Sequence, residues 1–190
     1  MTRYAVVLLA EGFEEAEAVI TVDVLRRLNI NVKTVSLSNN YELVVPSCRN
    51  VQIKADIDIN DLNADEIGVV VLPGGMPGAS NLRDNEAVID LLKYVYSENE
   101  GLIAAICAAP IALDKAGLLK DKNYTCYPGF EKQINDGNYT AEPTTVDGRV
   151  ITGFGPAAAF CFGAEIALFL GTSEQRITEL FSAMQFDRLK

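Results

Sequence analysis

Short apolar runs alternate with amphipathic helical stretches along most of this 190-residue sequence, and this pattern constrains the fold more than any other feature. Strand-like runs separated by helices are typical of βαβ units, which build a parallel sheet covered by helices. The predicted strands are continuously apolar, as strands buried on both faces should be. They are Tyr4–Leu9, Val32–Leu37, Ile67–Leu72, Leu102–Ile106 and Val150–Thr152. The sequence therefore predicts an α/β fold with a largely parallel sheet.

Amphipathic helices are predicted between and after these strands, at Glu14–Asn29, Asn85–Glu98, Pro110–Ala116, Ala157–Leu170 and Glu174–Met184. The pattern is less regular between Asn39 and Asn63, where we expect a small antiparallel excursion around Leu43–Val45 and Val51–Lys54. No internal repeat, low-complexity tract or linker interrupts the chain. Its length suits one compact domain, so residues 1–190 are expected to form a single domain.

Charge and hydropathy narrow the classes of partner. The formal net charge of −10 argues against nucleic-acid binding, which calls for a basic surface. Arg3 precedes an apolar run, but the run breaks into an acidic stretch without a cleavage-site pattern, so we interpret it as a first strand rather than a signal peptide. No window approaches the roughly 20 apolar residues of a membrane-spanning helix. We expect a cytoplasmic protein without membrane or nucleic-acid partners.

The sequence contains no histidine, which excludes several kinds of site. A Ser-His-Asp triad, a Cys-His peptidase dyad within the chain and a histidine-based zinc site are all ruled out. The four cysteines are widely spaced and form no CxxC pair, so in a cytosolic chain they are predicted to be free thiols. They are Cys48, Cys107, Cys126 and Cys161.

Cys107 is the strongest candidate for a reactive side chain. The buried strand Leu102–Ile106 runs directly into it, and Pro110 suits the first turn of a following helix. The small residues Ala108 and Ala109 permit a tight turn, so the cysteine should be presented above the carboxyl end of the sheet. A helix N-terminus favours the thiolate, which predicts a lowered pKa. A buried, inert cysteine is the alternative, although the turn favours a functional one.

Glu17 is the candidate partner of Cys107. Helical spacing places it on the same stripe as Ile20, Val24 and Leu28, so it should face inward. A desolvated carboxyl group has a raised pKa and can donate a proton near neutral pH. The neighbouring acidic residues of this first helical turn are expected only to complement the helix dipole.

Other segments carry weaker signals. Pro73–Gly78 follows a buried strand and could direct backbone N–H groups into a cleft, although Pro-Gly-Gly is also a common turn. Arg27 and Arg49 could form an anion-binding rim, but solvated arginines are the default. Asn123–Phe130 could line a cleft or be merely structural. Cys161 is expected to be part of the core.

Four motifs together resemble the ThiJ/PfpI superfamily, particularly its branch with the parkinsonism-associated deglycase and the YajL chaperone. The motifs are Glu14-Glu-Ala-Glu17, Leu72-Pro-Gly-Gly75, Ala104-Ala-Ile-Cys-Ala-Ala-Pro110 and Gly155-Pro156. The resemblance implies a flavodoxin-like three-layer sandwich and a homodimer. It also implies an oxidation-prone nucleophile at Cys107 contacted by the Glu17 carboxyl group, oxyanion-hole donors at Gly75 and Ala108, and arginines near the dimer-lined site at Arg27 and Arg49.

The sequence also departs from the family pattern. Many members have a histidine in the segment that matches Tyr124–Pro128, where this chain has Cys126 and Tyr127. The arginine before the Gly-Pro turn is replaced by Phe154, and the histidine that follows the cysteine in the protease branch is replaced by Ala108. Peptidase activity is therefore not expected.

Two functions remain open from the sequence. The resemblance implies a cofactor-independent glyoxalase or deglycase, which would act on small aldehydes or glycated substrates through Cys107 and Glu17. The absence of histidine predicts slow turnover. The alternative is a redox-sensing protein or chaperone in which Cys107 is oxidised to the sulfinate with little catalysis.

Overall fold

The computed structural model describes residues 3–37 and 41–188, so Asn39, the predicted start of the irregular region, lies outside the described residues. The described strands include every predicted strand with bounds that agree to within one residue. They are β1 (Tyr4–Leu9), β2 (Val32–Ser36), β3 (Val44–Pro46), β4 (Gln52–Lys54), β5 (Ile57–Asp58), β6 (Ile67–Leu72), β7 (Leu102–Ile106), β8 (Asn123–Tyr124), β9 (Asn138–Tyr139), β10 (Thr144–Asp147) and β11 (Val150–Gly153).

Seven of these strands form the central sheet in the order β10-β11-β7-β6-β1-β2-β5. Every neighbouring pair is parallel except β10 and β11, which are antiparallel. Strands β3 and β4 pair antiparallel outside the sheet, which confirms the predicted excursion. The two-residue edge strand β5 was not predicted, and neither was β10, which is only partly buried.

Helices cover both faces of the sheet and complete a three-layer α/β sandwich of the flavodoxin-like type. They are α1 (Glu15–Arg27), α2 (Gly78–Asp84), α3 (Glu86–Ser97), α4 (Pro110–Lys115), α5 (Ala159–Phe169) and α6 (Glu174–Ala183). Helices α1 and α5 pack on one face, and α3 packs on the other. Helix α2 was not predicted; it has seven residues and no side-chain cap at its start.

Alternation along β1 shows why the predicted strands are continuously apolar. Ala5, Val7 and Leu9 face the helix layer that contains α1, whereas Val6 and Leu8 face the layer that contains α3. All of them are at most 2% exposed. A strand buried on both faces cannot carry polar side chains at alternate positions, and β6 and β7 follow the same pattern.

The topology brings three loops together at one edge of the sheet. Strands β7, β6 and β1 are neighbours and run parallel, so their carboxyl ends, at Ile106, Leu72 and Leu9, lie side by side. The segments that follow these strands therefore meet in space, and they contain the candidate residues. Among residues 3–37 and 41–188, no helix combines the length and the apolar character that crossing a membrane requires.

Candidate active site

Cys107 sits at the turn between β7 and α4 with a left-handed backbone, φ being +63°. This conformation costs a residue other than glycine about 1–2 kcal/mol. Two hydrogen bonds hold it: the Cys107 N–H donates to the Gly153 carbonyl oxygen at 2.8 Å, and the Tyr127 N–H donates to the Cys107 carbonyl oxygen at 2.8 Å. The strained backbone agrees with the predicted strand–nucleophile–helix turn.

Glu17 faces inward, as its helical position predicts, and is 1% exposed. Its Oε2 accepts a hydrogen bond from the Gly74 N–H at 2.7 Å. The Glu17 N–H in turn donates to the side chain of Glu14, which caps α1, so the start of the helix is fixed where the carboxyl group enters the site. Its Oε1 is buried with no hydrogen-bond partner among the described residues. One carboxyl oxygen is thus anchored, and the carboxyl group lies within hydrogen-bonding reach of the Cys107 thiol.

Burial raises the pKa of Glu17 to about 7, although the Gly74 N–H opposes the shift. The predicted direction is confirmed. A carboxyl group with this pKa is present in both protonation states near neutral pH and can act as acid or base.

The lowered pKa that the sequence predicts for Cys107 is wrong. Burial raises the pKa of the thiol, and an ionised Glu17 raises it further, while the backbone N–H groups of Gly75 and Ala108 lower it. The Ala109 N–H, at the start of the six-residue helix α4, donates to the Ile106 carbonyl oxygen and is therefore not directed at the sulfur. A thiolate at Cys107 is therefore best accommodated when Glu17 holds the proton.

Gly74 and Gly75 allow the three loops to approach one another. A Cβ atom on Gly74 would lie 2.5 Å from the Cβ of Cys107 and 2.9 Å from both the Ala108 nitrogen and Glu17 Oε2. Gly75 has φ of +84°, and a Cβ there would lie 2.5 Å from the Glu14 nitrogen. The glycine turn after β6 is thus required for Cys107 and Glu17 to meet.

Cys107 opens into a cavity of about 330 Å³. Gly75 and Ala108, the predicted oxyanion-hole donors, both line it and lie beside the sulfur. The predicted rim residue Arg49 also lines it. The complete lining is Glu14, Cys48, Arg49, Gly75, Met76, Cys107, Ala108, Tyr127, Phe130 and Pro156.

Arg27 does not line the cavity of its own chain. It ends α1, ten residues beyond Glu17 and therefore about 15 Å along the helix axis. Its Nε lies 2.8 Å from Asp23 Oδ2 in an exposed ion pair. The role of Arg27 in an anion-binding rim stays a prediction that depends on a second copy of the chain.

The other three cysteines are free thiols in different surroundings. Cys48 lines the cavity, and its thiol donates to Glu15 Oε2 at 3.6 Å. Cys126 is buried, which raises the pKa of its thiol to about 12. The prediction of a core position for Cys161 is wrong, because this residue is exposed. The inward face of α5 is occupied by Gly163, which packs against Val24, and Cys161 points away from it two residues earlier.

The structure assigns cavity-lining roles that the sequence left open or missed. Tyr127 and Phe130 line the cavity, which resolves the alternatives for the segment from 123 to 130. Met76 and Pro156 were parts of recognised turns but were not assigned to the site. The turn motifs that contain these residues, Pro73–Gly78 and Gly155-Pro156, were the sequence signal from which their place at the site could have been predicted. Among the described residues, no group of three or more His, Cys, Asp or Glu side chains is arranged to hold a metal ion.

Comparison with known proteins decides the family. The model of the DJ-1/PfpI family matches residues 3–168. The chain belongs to the DJ-1/PfpI family. Its sequence is 43% identical to protein dj-1beta of Drosophila melanogaster over 92% of this chain and 93% of that protein. The crystal structure of Drosophila DJ-1beta superposes with a TM-score of 0.89 and covers 97% of this chain and 98% of the other, at 37% identity.

Two further family members bear on activity. A protein of Caenorhabditis elegans named glutathione-independent glyoxalase DJR-1.2 is 31% identical over 86% of this chain and 87% of its own length. The solved structure of oxidized Toxoplasma gondii DJ-1 has a TM-score of 0.82 at 29% identity and covers 97% of this chain and 98% of that chain.

Proposed function

We propose that this DJ-1/PfpI family protein is a cytoplasmic, cofactor-independent glyoxalase or deglycase, which acts on small reactive carbonyls such as methylglyoxal. The observation that carries the proposal is the buried Glu17 carboxyl group, with a pKa of about 7, placed beside the Cys107 sulfur. A nucleophile next to a group that can both take and give a proton is what this isomerisation requires. The glyoxalase name of the Caenorhabditis elegans relative supports the same reaction.

In the proposed reaction, the Cys107 sulfur adds to the aldehyde carbon while Glu17 takes the thiol proton. The electron pair of the carbonyl bond moves to oxygen, where the Gly75 and Ala108 N–H groups would stabilise it. Glu17 returns the proton to this oxygen, which completes a hemithioacetal.

Glu17 then removes the proton from the former aldehyde carbon and delivers it to the adjacent carbon, while a proton passes between the two oxygens. The product is a thioester of a 2-hydroxy acid. Water hydrolyses the thioester and releases the acid and the free thiol. The reaction is an internal redox change, so it needs no external oxidant, reductant or metal.

The purified protein is expected to convert methylglyoxal to lactate without glutathione, because Cys107 supplies the thiol. Lactate formation is measured enzymatically after removal of all small thiols. A Cys161→Ala variant is the matched control and should retain the wild-type rate, since Cys161 is exposed on α5 and does not line the cavity. Lactate formation that depends on added glutathione would contradict the proposal.

A redox-sensing protein or chaperone is the second candidate. Protonated Glu17 beside Cys107 could donate a hydrogen bond to a sulfinate, which would stabilise the oxidised sulfur. The oxidised state named for the Toxoplasma gondii relative supports this reading.

Mild peroxide is expected to oxidise Cys107 selectively, with sulfinate detected by mass spectrometry. Cys161 is a stringent internal comparison because it is the more accessible thiol. Equal oxidation of all four cysteines would contradict a redox-sensing site. Selective oxidation together with no lactate formation would favour this second candidate over the first.

We also propose a homodimer, as family membership implies. A second copy of the chain would be the source of an Arg27 near the cavity, since the chain's own Arg27 lies at the far end of α1.

A further inference from the structure

Four of the side chains that line the Cys107 cavity are apolar or aromatic, namely Met76, Tyr127, Phe130 and Pro156, and they lie beside the polar or charged Glu14, Cys48 and Arg49. The rings of Tyr127 and Phe130 pack edge to face, with centroids 6.4 Å apart and an interplanar angle of 81°. These two rings therefore form one aromatic wall, defined by Tyr127 and Phe130.

The backbone ties Tyr127 directly to the nucleophile. Its N–H donates to the Cys107 carbonyl oxygen at 2.8 Å. Its ring lies across Gly155, where a Cβ atom would come within 3.2 Å of the ring. Tyr127 is nevertheless 47% exposed. Tyr127 is thus anchored to the Cys107 backbone and lines the same cavity, while much of its surface remains available to a bound molecule.

The buried groups around the sulfur determine how a substrate is oriented. Glu17 is 1% exposed, and the Gly75 and Ala108 N–H groups flank the sulfur. A carbonyl group attacked by Cys107 would turn its oxygen toward these donors, which leaves its substituent in the cavity that the aromatic wall lines. The cavity volume of about 330 Å³ lies within the range of typical ligand pockets and is larger than a three-carbon aldehyde requires.

We infer that Tyr127 is a specificity-determining residue, and that the site prefers α-oxoaldehydes with an aromatic or bulky apolar substituent over methylglyoxal. The inference rests on the proposed function and names its substrate class. The physical reason is that an aromatic substituent gains ring contacts with Tyr127 that a methyl group cannot make. The reaction is otherwise unchanged, and phenylglyoxal would yield mandelate as methylglyoxal yields lactate.

The test compares kcat/KM for phenylglyoxal and methylglyoxal in the wild-type protein and in Tyr127→Ala. Initial rates are used, so that they precede any reaction of phenylglyoxal with arginine. The wild-type protein should prefer phenylglyoxal, and Tyr127→Ala should reduce the phenylglyoxal-to-methylglyoxal ratio about 2- to 10-fold. Tyr127→Phe should retain the ratio because the ring remains. Tyr94→Ala is the matched control, since Tyr94 lies on α3 outside this cavity.

Each result has a distinct meaning. A ratio unchanged in Tyr127→Ala, or lowered as much in Tyr127→Phe, overturns the inference while leaving the proposed function intact. A wild-type preference for methylglyoxal overturns the assigned substrate class in the same way. Absence of turnover with both aldehydes overturns the proposed function and the inference with it. Unfolding midpoints of the variants close to that of the wild type establish that the ratio reports on the cavity.

Discussion

Replacement of Cys107 by alanine is expected to lower kcat/KM for methylglyoxal by roughly 10³-fold or more, the scale on which enzymes lose activity without their nucleophile. No other thiol can substitute. Cys126 is buried and does not line the cavity, and Cys161 lies on the outer surface of α5. Cys48 lines the cavity but contacts Glu15 rather than Glu17.

Lactate formation by Cys107→Ala, Cys48→Ala and Cys161→Ala checks this expectation. Only Cys107→Ala should lose activity. Alanine at position 107 retains the left-handed backbone at a strain similar to that of cysteine, so the unfolding midpoint should change little. Lactate formation at the same rate by wild type and Cys107→Ala would contradict the proposed mechanism, regardless of the rates of the other variants.

Replacement of Glu17 by glutamine is expected to remove the acid/base group and lower kcat about 10²- to 10⁴-fold. The wild-type pH profile should rise through about pH 7, because proton abstraction requires the carboxylate and the pKa of Glu17 is about 7. The residual activity of Glu17→Gln should lack this rise. Rates measured between pH 5.5 and 8 test the assignment, and a rise retained in Glu17→Gln would show that another group titrates.

The same raised pKa makes stability depend on pH in the opposite direction. The pKa of Glu17 rises from an ordinary value of 4.5 in the unfolded chain to about 7 in the folded protein, so between these pH values the folded state binds more protons. The free energy of unfolding therefore falls as pH rises through this window. Relative to Glu17→Gln, the free energy of unfolding of the wild-type protein should fall by about 3 kcal/mol as the pH rises from 4.5 to 7.

Urea unfolding of both proteins at several pH values measures this difference, in which the contributions of the other groups cancel. The control is Glu98→Gln, at an exposed position beyond α3, which should follow the wild-type pH dependence. A constant free-energy difference between wild type and Glu17→Gln across the window would contradict a raised pKa at Glu17.

Local patterns in the sequence were sufficient to predict the main strands, most of the helices and the inward orientation of Glu17. A strand buried on both faces must be apolar throughout, so β1, β6 and β7 could be located with their observed bounds. Short elements that depend on tertiary contacts escaped detection. Helix α2 lacks a side-chain cap, and the edge strand β5 contains two residues.

The exposure of Cys161 could not be predicted from the sequence either. An apolar helix can have small residues on its buried face and a cysteine on its outer face, and only the packing of Gly163 against Val24 reveals which face is buried.

For Cys107, the sequence by itself determined the turn, the absence of any histidine partner and the choice of Glu17 as its neighbour. The tertiary structure decided the ionisation of the pair, because desolvation depends on atoms from three loops that are distant in the chain. Burial raises the pKa of Cys107 instead of lowering it, so its thiolate depends on the proton held by Glu17. The aromatic wall of Tyr127 and Phe130 likewise exists only because folding brings the segment after β8 against the carbonyl oxygen of Cys107.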